Sequence, residues 1–217
     1  ISNPNNPSGS VLSDAAMQRI VERCEAMDAY LISDEVYIGA EYDGKRTKSF
    51  WGMSDNIIVT SGLSKAYGIP GIRVGWIIGP KNIVADCWSQ HDYITIGPNK
   101  LSDRMTRVAI RADNREKLYR RTTEILSQNL PILEKWVENM PQLTYTPSQA
   151  GAFSFLKLAG DLPSIAVAEA CLKNQSTLIV PGTHFGMEGY LRVWFGGAQD
   201  YIKEGFRRIK AEIDKLF

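Results

Sequence analysis

Residues 57–78 read Ile57-Ile58-Val59-Thr60-Ser61-Gly62-Leu63-Ser64-Lys65-Ala66-Tyr67-Gly68-Ile69-Pro70-Gly71-Ile72-Arg73-Val74-Gly75-Trp76-Ile77-Ile78. The β-branched run at 57–60 predicts a buried strand, and the apolar run at 74–78 predicts a second core strand. Between them a single lysine sits in a turn of small residues. Lysine is among the residues least often buried. Small neighbours around Lys65 therefore suggest a close, planar ligand that needs backbone access and an amine. Arg73 follows eight residues later. Its planar fork suits an anion with several oxygens, such as phosphate. Taken alone, the same stretch reads equally well as a surface lysine and a structural arginine in a Gly-rich turn.

Two upstream segments bear on that choice: Asn3-Pro4-Asn5-Asn6-Pro7-Ser8-Gly9 and Ser33-Asp34-Glu35-Val36-Tyr37. With Gly62-Leu63-Ser64-Lys65, Arg73-Val74-Gly75 and a downstream Arg192, they occur in an order that closely resembles the class I/II aminotransferases, the fold-type I pyridoxal phosphate enzymes. The resemblance covers essentially the whole chain. It implies an α/β fold: part of a large cofactor-binding domain with a mostly parallel sheet over residues 1–127, then a small α+β domain over 128–217. The implied cofactor is pyridoxal 5'-phosphate. Lys65 would form the Schiff base with it and then shuttle the substrate's proton. Asp34 would keep the pyridine nitrogen protonated, which makes the ring a better electron sink. Tyr37 and Asn6 would meet the ring's phenolic oxygen. Ser64 and Arg73 would hold the phosphate. Arg192 would grip the substrate α-carboxylate.

Without the resemblance, Asp34 could simply cap a turn, Tyr37 could be a core tyrosine with a polar tip, and Arg192 could serve a structural ion pair. The resembled pattern often has a serine where this chain has Gly62. It also has a small polar residue shortly after the carboxylate arginine, where this chain has Val193-Trp194. The stretch Val180–Gly186 resembles a loop that enters the active site from the small domain, and its His184 reads as an exposed loop residue.

The implied reaction is transfer of an amino group from an amino acid to a 2-oxo acid. The same residue set also serves lyases, decarboxylases and cyclising synthases of this fold. His91-Asp92-Tyr93 and Gly182…Met187-Glu188-Gly189 are faintly similar to a branch that includes such enzymes. A sensor domain of a transcription regulator is a further alternative. The resemblance also implies a homodimer. The chain starts on Ile1, inside a motif. It is expected to be the C-terminal portion of a longer enzyme, lacking the N-terminal part of the large domain. It is further expected to be inactive alone and to expose apolar sheet surface.

Periodicity places the motifs on elements. Ser13-Asp14 caps a helix to about Met27, and Ala29–Ser33 is a strand that delivers Asp34 to its carboxyl end, where α/β sheets bind ligands. Residues 41–55 read as a loop, Lys81–His91 and Leu101–Ile110 as helices. A long helix runs from Asp113 or Asn114 to about Asn139, with a kink expected at Pro131. Strands follow at 143–146, 152–156 and 190–194, and helices at 163–173 and 199–216. The last helix is expected to bury Ile202, Phe206, Ile209, Ile213 and Leu216.

Composition narrows the partners. The 217 residues carry 25 Lys+Arg and 24 Asp+Glu, a net charge of +1. That balance gives no electrostatic case for nucleic acid. No apolar run approaches the ~18 residues that span a bilayer, so no membrane partner is expected. Cys24, Cys87 and Cys171 are scattered and read as reduced core thiols of a cytoplasmic protein. With only two histidines, and no metal-ligand spacing among the cysteines, no metal site is expected.

Overall fold

The computed structural model describes residues 1–217. The chain divides into two compact units. The first comprises residues 1–6 and 10–123, the second residues 7–9 and 124–217.

The first unit begins with a Pro-containing loop whose Ser2 makes a single parallel bridge to Asp34. Helix α1 (Asp14–Ala26) starts where Ser13 Oγ accepts a hydrogen bond from Ala16 N at 3.3 Å, satisfying one of the orphan amides of the first turn. Strand β1 (Leu31–Asp34) pairs in parallel with β2 (Ile57–Gly62), Leu31 opposite Ile57 and Asp34 opposite Thr60. Strand β3 (Gly75–Ile78) pairs antiparallel with β2, Gly62 opposite Gly75. The resemblance implied a mostly parallel sheet; within this chain the sheet holds one parallel and one antiparallel pair.

Strand alternation decides what is buried. Leu31, Ile57 and Val59 face Met17 and Val21 of α1 and Phe50 of the long loop, forming one core cluster. Ile32, one residue along, is 55% exposed. The sequence predicts β3 as a core strand, but it is an edge of this sheet with Ile77 and Ile78 exposed. An apolar run shows β propensity, not which strand faces will be covered; the exposed Ile77 and Ile78 are apolar sheet surface of the kind the sequence leads one to expect of this chain.

Helices α2 (Lys81–His91) and α3 (Lys100–Ala109) follow. The intervening Tyr93, Ile94 and Ile96 are exposed. Helix α4 (Ala112–Glu138) runs through Pro131 without ending there and continues from the first unit into the second. The units part between Thr123 and Glu124, inside this helix.

The second unit is an antiparallel sheet in the order β4 (Leu143–Tyr145), β5 (Phe153–Leu158), β7 (Tyr190–Trp194), β6 (Val180–Pro181). The two-residue β6 is absent from the sequence reading, since a Val-Pro pair gives no strand period. Helices α5 (Ser164–Gln175) and α6 (Gln199–Leu216) complete the unit. Leu156, Leu191, Val193, Val167, Phe206, Ile209 and Ile213 form its interior. Trp136 of α4 stacks on Phe206, centroids 4.5 Å apart. Gly9 belongs here because its carbonyl accepts from Gln149 N and Ala150 N. Its φ is +68° and an added Cβ would lie 2.5 Å from Ser148 Cβ, so glycine is required on both counts.

Two core expectations are corrected. Leu216, predicted buried, is exposed at the C-terminal end of α6, while Glu212 one turn earlier is buried. Of the three cysteines, Cys171 is buried and Cys24 half-buried, but Cys87 is exposed on α2.

Glu212 accepts hydrogen bonds from Asn174 and Gln175 of α5 and from Lys215. The bond from Gln175, then that from Asn174, hold its carboxyl below the usual range, against a smaller effect of burial and with further help from Lys215. A depressed folded pKa contributes stability present above the unfolded value of ~4.3 and lost as pH falls through the folded one. Glu212→Gln is therefore expected to lower the thermal midpoint at pH 7 and to flatten its decline on acidification, read by circular dichroism between pH 7 and 3. Leu156→Ala, at a fully buried β5 position, should cost about 2–5 kcal/mol in denaturant unfolding, while Leu216→Ala should be near neutral.

Candidate functional site

The site in the first unit is assembled by backbone hydrogen bonds at the carboxyl ends of β1 and β2. Asp34 ends β1. Its Oδ1 accepts from Val36 N at 3.2 Å, an Asx turn that reverses the chain. Its backbone N donates to Ile1 O, and its carbonyl accepts from Asn3 N, which ties the loop carrying Asn6 to the end of the strand. Asn3 is 1% exposed, and its Oδ1 accepts from Leu12 N. Glu35 N then donates to Thr60 O at 2.8 Å, and Ala66 N donates to Val36 O at 3.1 Å. So the Asp34–Tyr37 turn and the lysine turn are hydrogen-bonded to each other.

The sequence reading left Glu35 without a role. It is 5% exposed, and its Oε1 accepts from Phe50 N at 2.8 Å and from Ser33 Oγ at 3.2 Å. This carboxylate anchors the 41–55 loop to the strand end. A charged residue directly after an apolar strand was the available signal, masked by its neighbour Asp34.

Lys65 itself is exposed, while Leu63, Ala66 and Tyr67 around it are buried. Tyr67 lies against Tyr119 of α4 with centroids 4.8 Å apart, and edge-on to Trp76 at 6.0 Å. This second core cluster holds the lysine turn from beneath. Burial, assisted by a hydrogen bond with Tyr67, pushes the Tyr119 phenol far above its usual range. Tyr37 is buried and Asn6 half-buried.

Arg73 is brought onto Ser64. Its Nη1 donates to Ser64 Oγ at 3.4 Å and to Pro70 O at 2.9 Å. Arg73 caps the short 3-10 turn Pro70–Ile72 with φ +57°, a left-handed conformation that non-glycine residues seldom adopt. The hydroxyl and guanidinium predicted to share an anion are thus neighbours. Gly62 also finds a reason: opposite Gly75, a Cβ on it would lie 3.1 Å from Val74 O and 3.2 Å from Gly75 Cα. A serine there would crowd two backbones, and Ser61 Oγ instead donates to Glu35 O.

Arg192 lies in the second unit, at the centre of β7 opposite Phe155 of β5. It is half-buried, with its guanidinium 5.1 Å from the Phe185 centroid and 5.6 Å from that of Phe153. Ring quadrupoles offset part of the cost of taking a cation out of water. His184, next to Phe185, is exposed.

The hydrogen bonds thus bring the turn that ends in Tyr37 and the turn that carries Lys65 together, with Arg73 on Ser64. The model of the family "Aminotransferase class I and II" matches residues 1–209. The chain belongs to that family. Its cofactor is pyridoxal phosphate. An aspartate aminotransferase of Pyrococcus horikoshii is 24% identical over 218 residues, covering 99% of this chain and 56% of that protein. A capreomycidine synthase of Streptomyces vinaceus is 25% identical over 211 residues, covering 97% and 54%. The crystal structure of a PLP-dependent aminotransferase from Streptococcus suis superposes with a TM-score of 0.90 at 29% identity, over 100% of this chain and 57% of that one. The chain thus spans about half the length of the curated relatives it matches.

Arg73→Gly tests whether Arg73 serves an anion as well as the fold. Glycine removes the left-handed penalty of ~1 kcal/mol and deletes the guanidinium. Unfolding of the cofactor-free protein should show no loss of stability. Affinity for pyridoxal phosphate, measured by absorbance titration, should fall about 10–100-fold, the worth of one charge-assisted bond.

Proposed function

We propose that this chain is the Lys65-bearing portion of a pyridoxal phosphate-dependent aminotransferase, which moves an amino group between an amino acid and a 2-oxo acid. One observation carries the reading: the lysine turn, with the Ser64–Arg73 pair beside it, is hydrogen-bonded through Ala66 N to the turn that presents Asp34. Bound at such a site, pyridoxal phosphate supplies an electron sink that stabilises negative charge at the substrate Cα. Lys65 would provide the amine that joins the cofactor's aldehyde carbon and, once released, carry the Cα proton on its flexible arm. Asp34, fixed by its own Asx turn, would hold a proton on the ring nitrogen. Tyr37 and Asn6 would orient the phenolic oxygen, and Ser64 with Arg73 would bind the phosphate. Arg192, steadied by Phe153 and Phe185, would take the substrate carboxylate in two parallel hydrogen bonds. The assembly would be a cytoplasmic homodimer, as the free cysteines and the family pattern suggest; no helix is long and apolar enough to cross a membrane.

A second reading has its own support. The capreomycidine synthase similarity extends over nearly the whole chain, and the residues named above also serve cyclising, lyase and decarboxylating chemistry. Fold does not choose among these.

The test uses the protein expressed from its complete reading frame. Borohydride reduction with cofactor followed by peptide mapping should place the pyridoxyl label on Lys65; a label on another lysine refutes the assignment. Mass analysis of products from a panel of amino acids, with and without a 2-oxo acid acceptor, should show acceptor-dependent 2-oxo acid formation. Acceptor-independent products would favour the second reading. Arg192→Ala should weaken amino-acid binding by ~2–5 kcal/mol with cofactor affinity nearly unchanged.

A further inference from the structure

Lys65 stands in a short turn whose backbone sets the direction in which its side chain leaves. The turn that sets this backbone is closed by Gly68 N donating to Lys65 O at 2.9 Å. Gly68 has φ +64°, and glycine is the residue freest to leave such a conformation. What restrains it comes from α4. Arg121 Nη2 donates to Tyr67 O at 2.9 Å and to Gly68 O at 3.0 Å. One guanidinium nitrogen thus bridges the two successive carbonyls at the end of the lysine turn. An added Cβ on Gly68 would lie 2.4 Å from that nitrogen, so the glycine and the arginine fit each other. Two residues before Arg121, Tyr119 packs on Tyr67 and holds the other side of the same turn.

We propose that Arg121 is a positioning residue for Lys65: by fixing the Tyr67 and Gly68 carbonyls it fixes the direction in which the lysine leaves its turn. This rests on the reading of Lys65 as the cofactor lysine. The guanidinium directs its hydrogen bonds to main-chain oxygens, where a charged donor forms stronger bonds than water or a neutral amide. Freed of it, Gly68 can rotate, and a displacement of about 1 Å at a reacting group costs about 100-fold in rate.

The experiment compares Arg121→Met, which keeps the apolar stem, with Arg121→Lys, which keeps a charged donor, in the protein from the complete reading frame. Arg121→Met should speed amide hydrogen exchange at residues 66–69 and lower kcat about 100-fold with little change in KM. It should also move the pH midpoint of the bound-cofactor absorbance by about half a unit or more. Its thermal midpoint should stay within ~4 °C of the parent, and Arg121→Lys should recover a large part of kcat and of the absorbance midpoint. Unchanged exchange, kcat and absorbance midpoint in Arg121→Met overturn the proposal. So does a general loss of stability that Arg121→Lys does not rescue, which would make Arg121 part of the fold alone. A parent protein whose borohydride label is not on Lys65 overturns the underlying reading and the proposal with it. The exchange measurement, which needs no cofactor, then still reports whether Arg121 restrains the turn, so the two failures are told apart.

Discussion

Two backbone hydrogen bonds govern the geometry of the first unit: Glu35 N to Thr60 O, and Ala66 N to Val36 O. The first extends the parallel pairing of β1 and β2 one residue past the end of β1. The second carries the register into the loops, so that the turn after β1 and the turn after β2 are bonded to each other. Buried amides left unpaired would be costly, which makes this linkage a structural requirement before it is a functional one. Once it exists, any side chain at Asp34 and any side chain at Lys65 are presented from the same end of the sheet. Parallel strands have this property in general: their carboxyl ends, and the loops that follow, lie on one edge.

The two proposed anion-binding arginines are prepared differently. Arg73 sits on a strained left-handed residue, exposed, with Ser64 beside it and the Pro70 carbonyl fixing its head. It is held by local backbone geometry. Arg192 projects from the middle of a strand, half-buried between phenylalanine faces. It is held by tertiary packing. A strained exposed residue suits a permanent ligand whose charge completes the site, whereas an aromatic cradle keeps a cation tolerable while a ligand comes and goes. Tyr119 and Arg121, both on α4, support the lysine turn, the first by ring packing and the second through main-chain oxygens.

Much of this was legible in the chain itself. Apolar period marked each of the α-helices, and Lys81–His91 and Gln199–Leu216 coincide with their predicted spans. Ser13 as a cap and Asp34 at a strand end follow from local chemistry, because side chain-to-backbone bonds need only near neighbours. A lysine among small residues and an arginine in an apolar strand stand out by type, but only the resemblance to a family gave them and Asp34, Tyr37 and Asn6 their expected roles.

Tertiary structure decided what local chemistry leaves open. Burial was one such matter. Ile77, Ile78 and Leu216 are apolar yet exposed, while Glu35 and Glu212 are charged yet buried, because coverage depends on elements distant in sequence. Partnership was another. The contact of Arg73 with Ser64, the crowding that keeps Gly62 a glycine opposite Gly75, and the reach of Arg121 to a turn more than fifty residues away all join segments that no period or spacing relates. Sequence determined the elements and the chemical groups this protein can offer, since those depend on residue type and near neighbours. Only the folded chain decided which groups meet, since that depends on pairing between strands and on one long helix laid beneath the lysine turn.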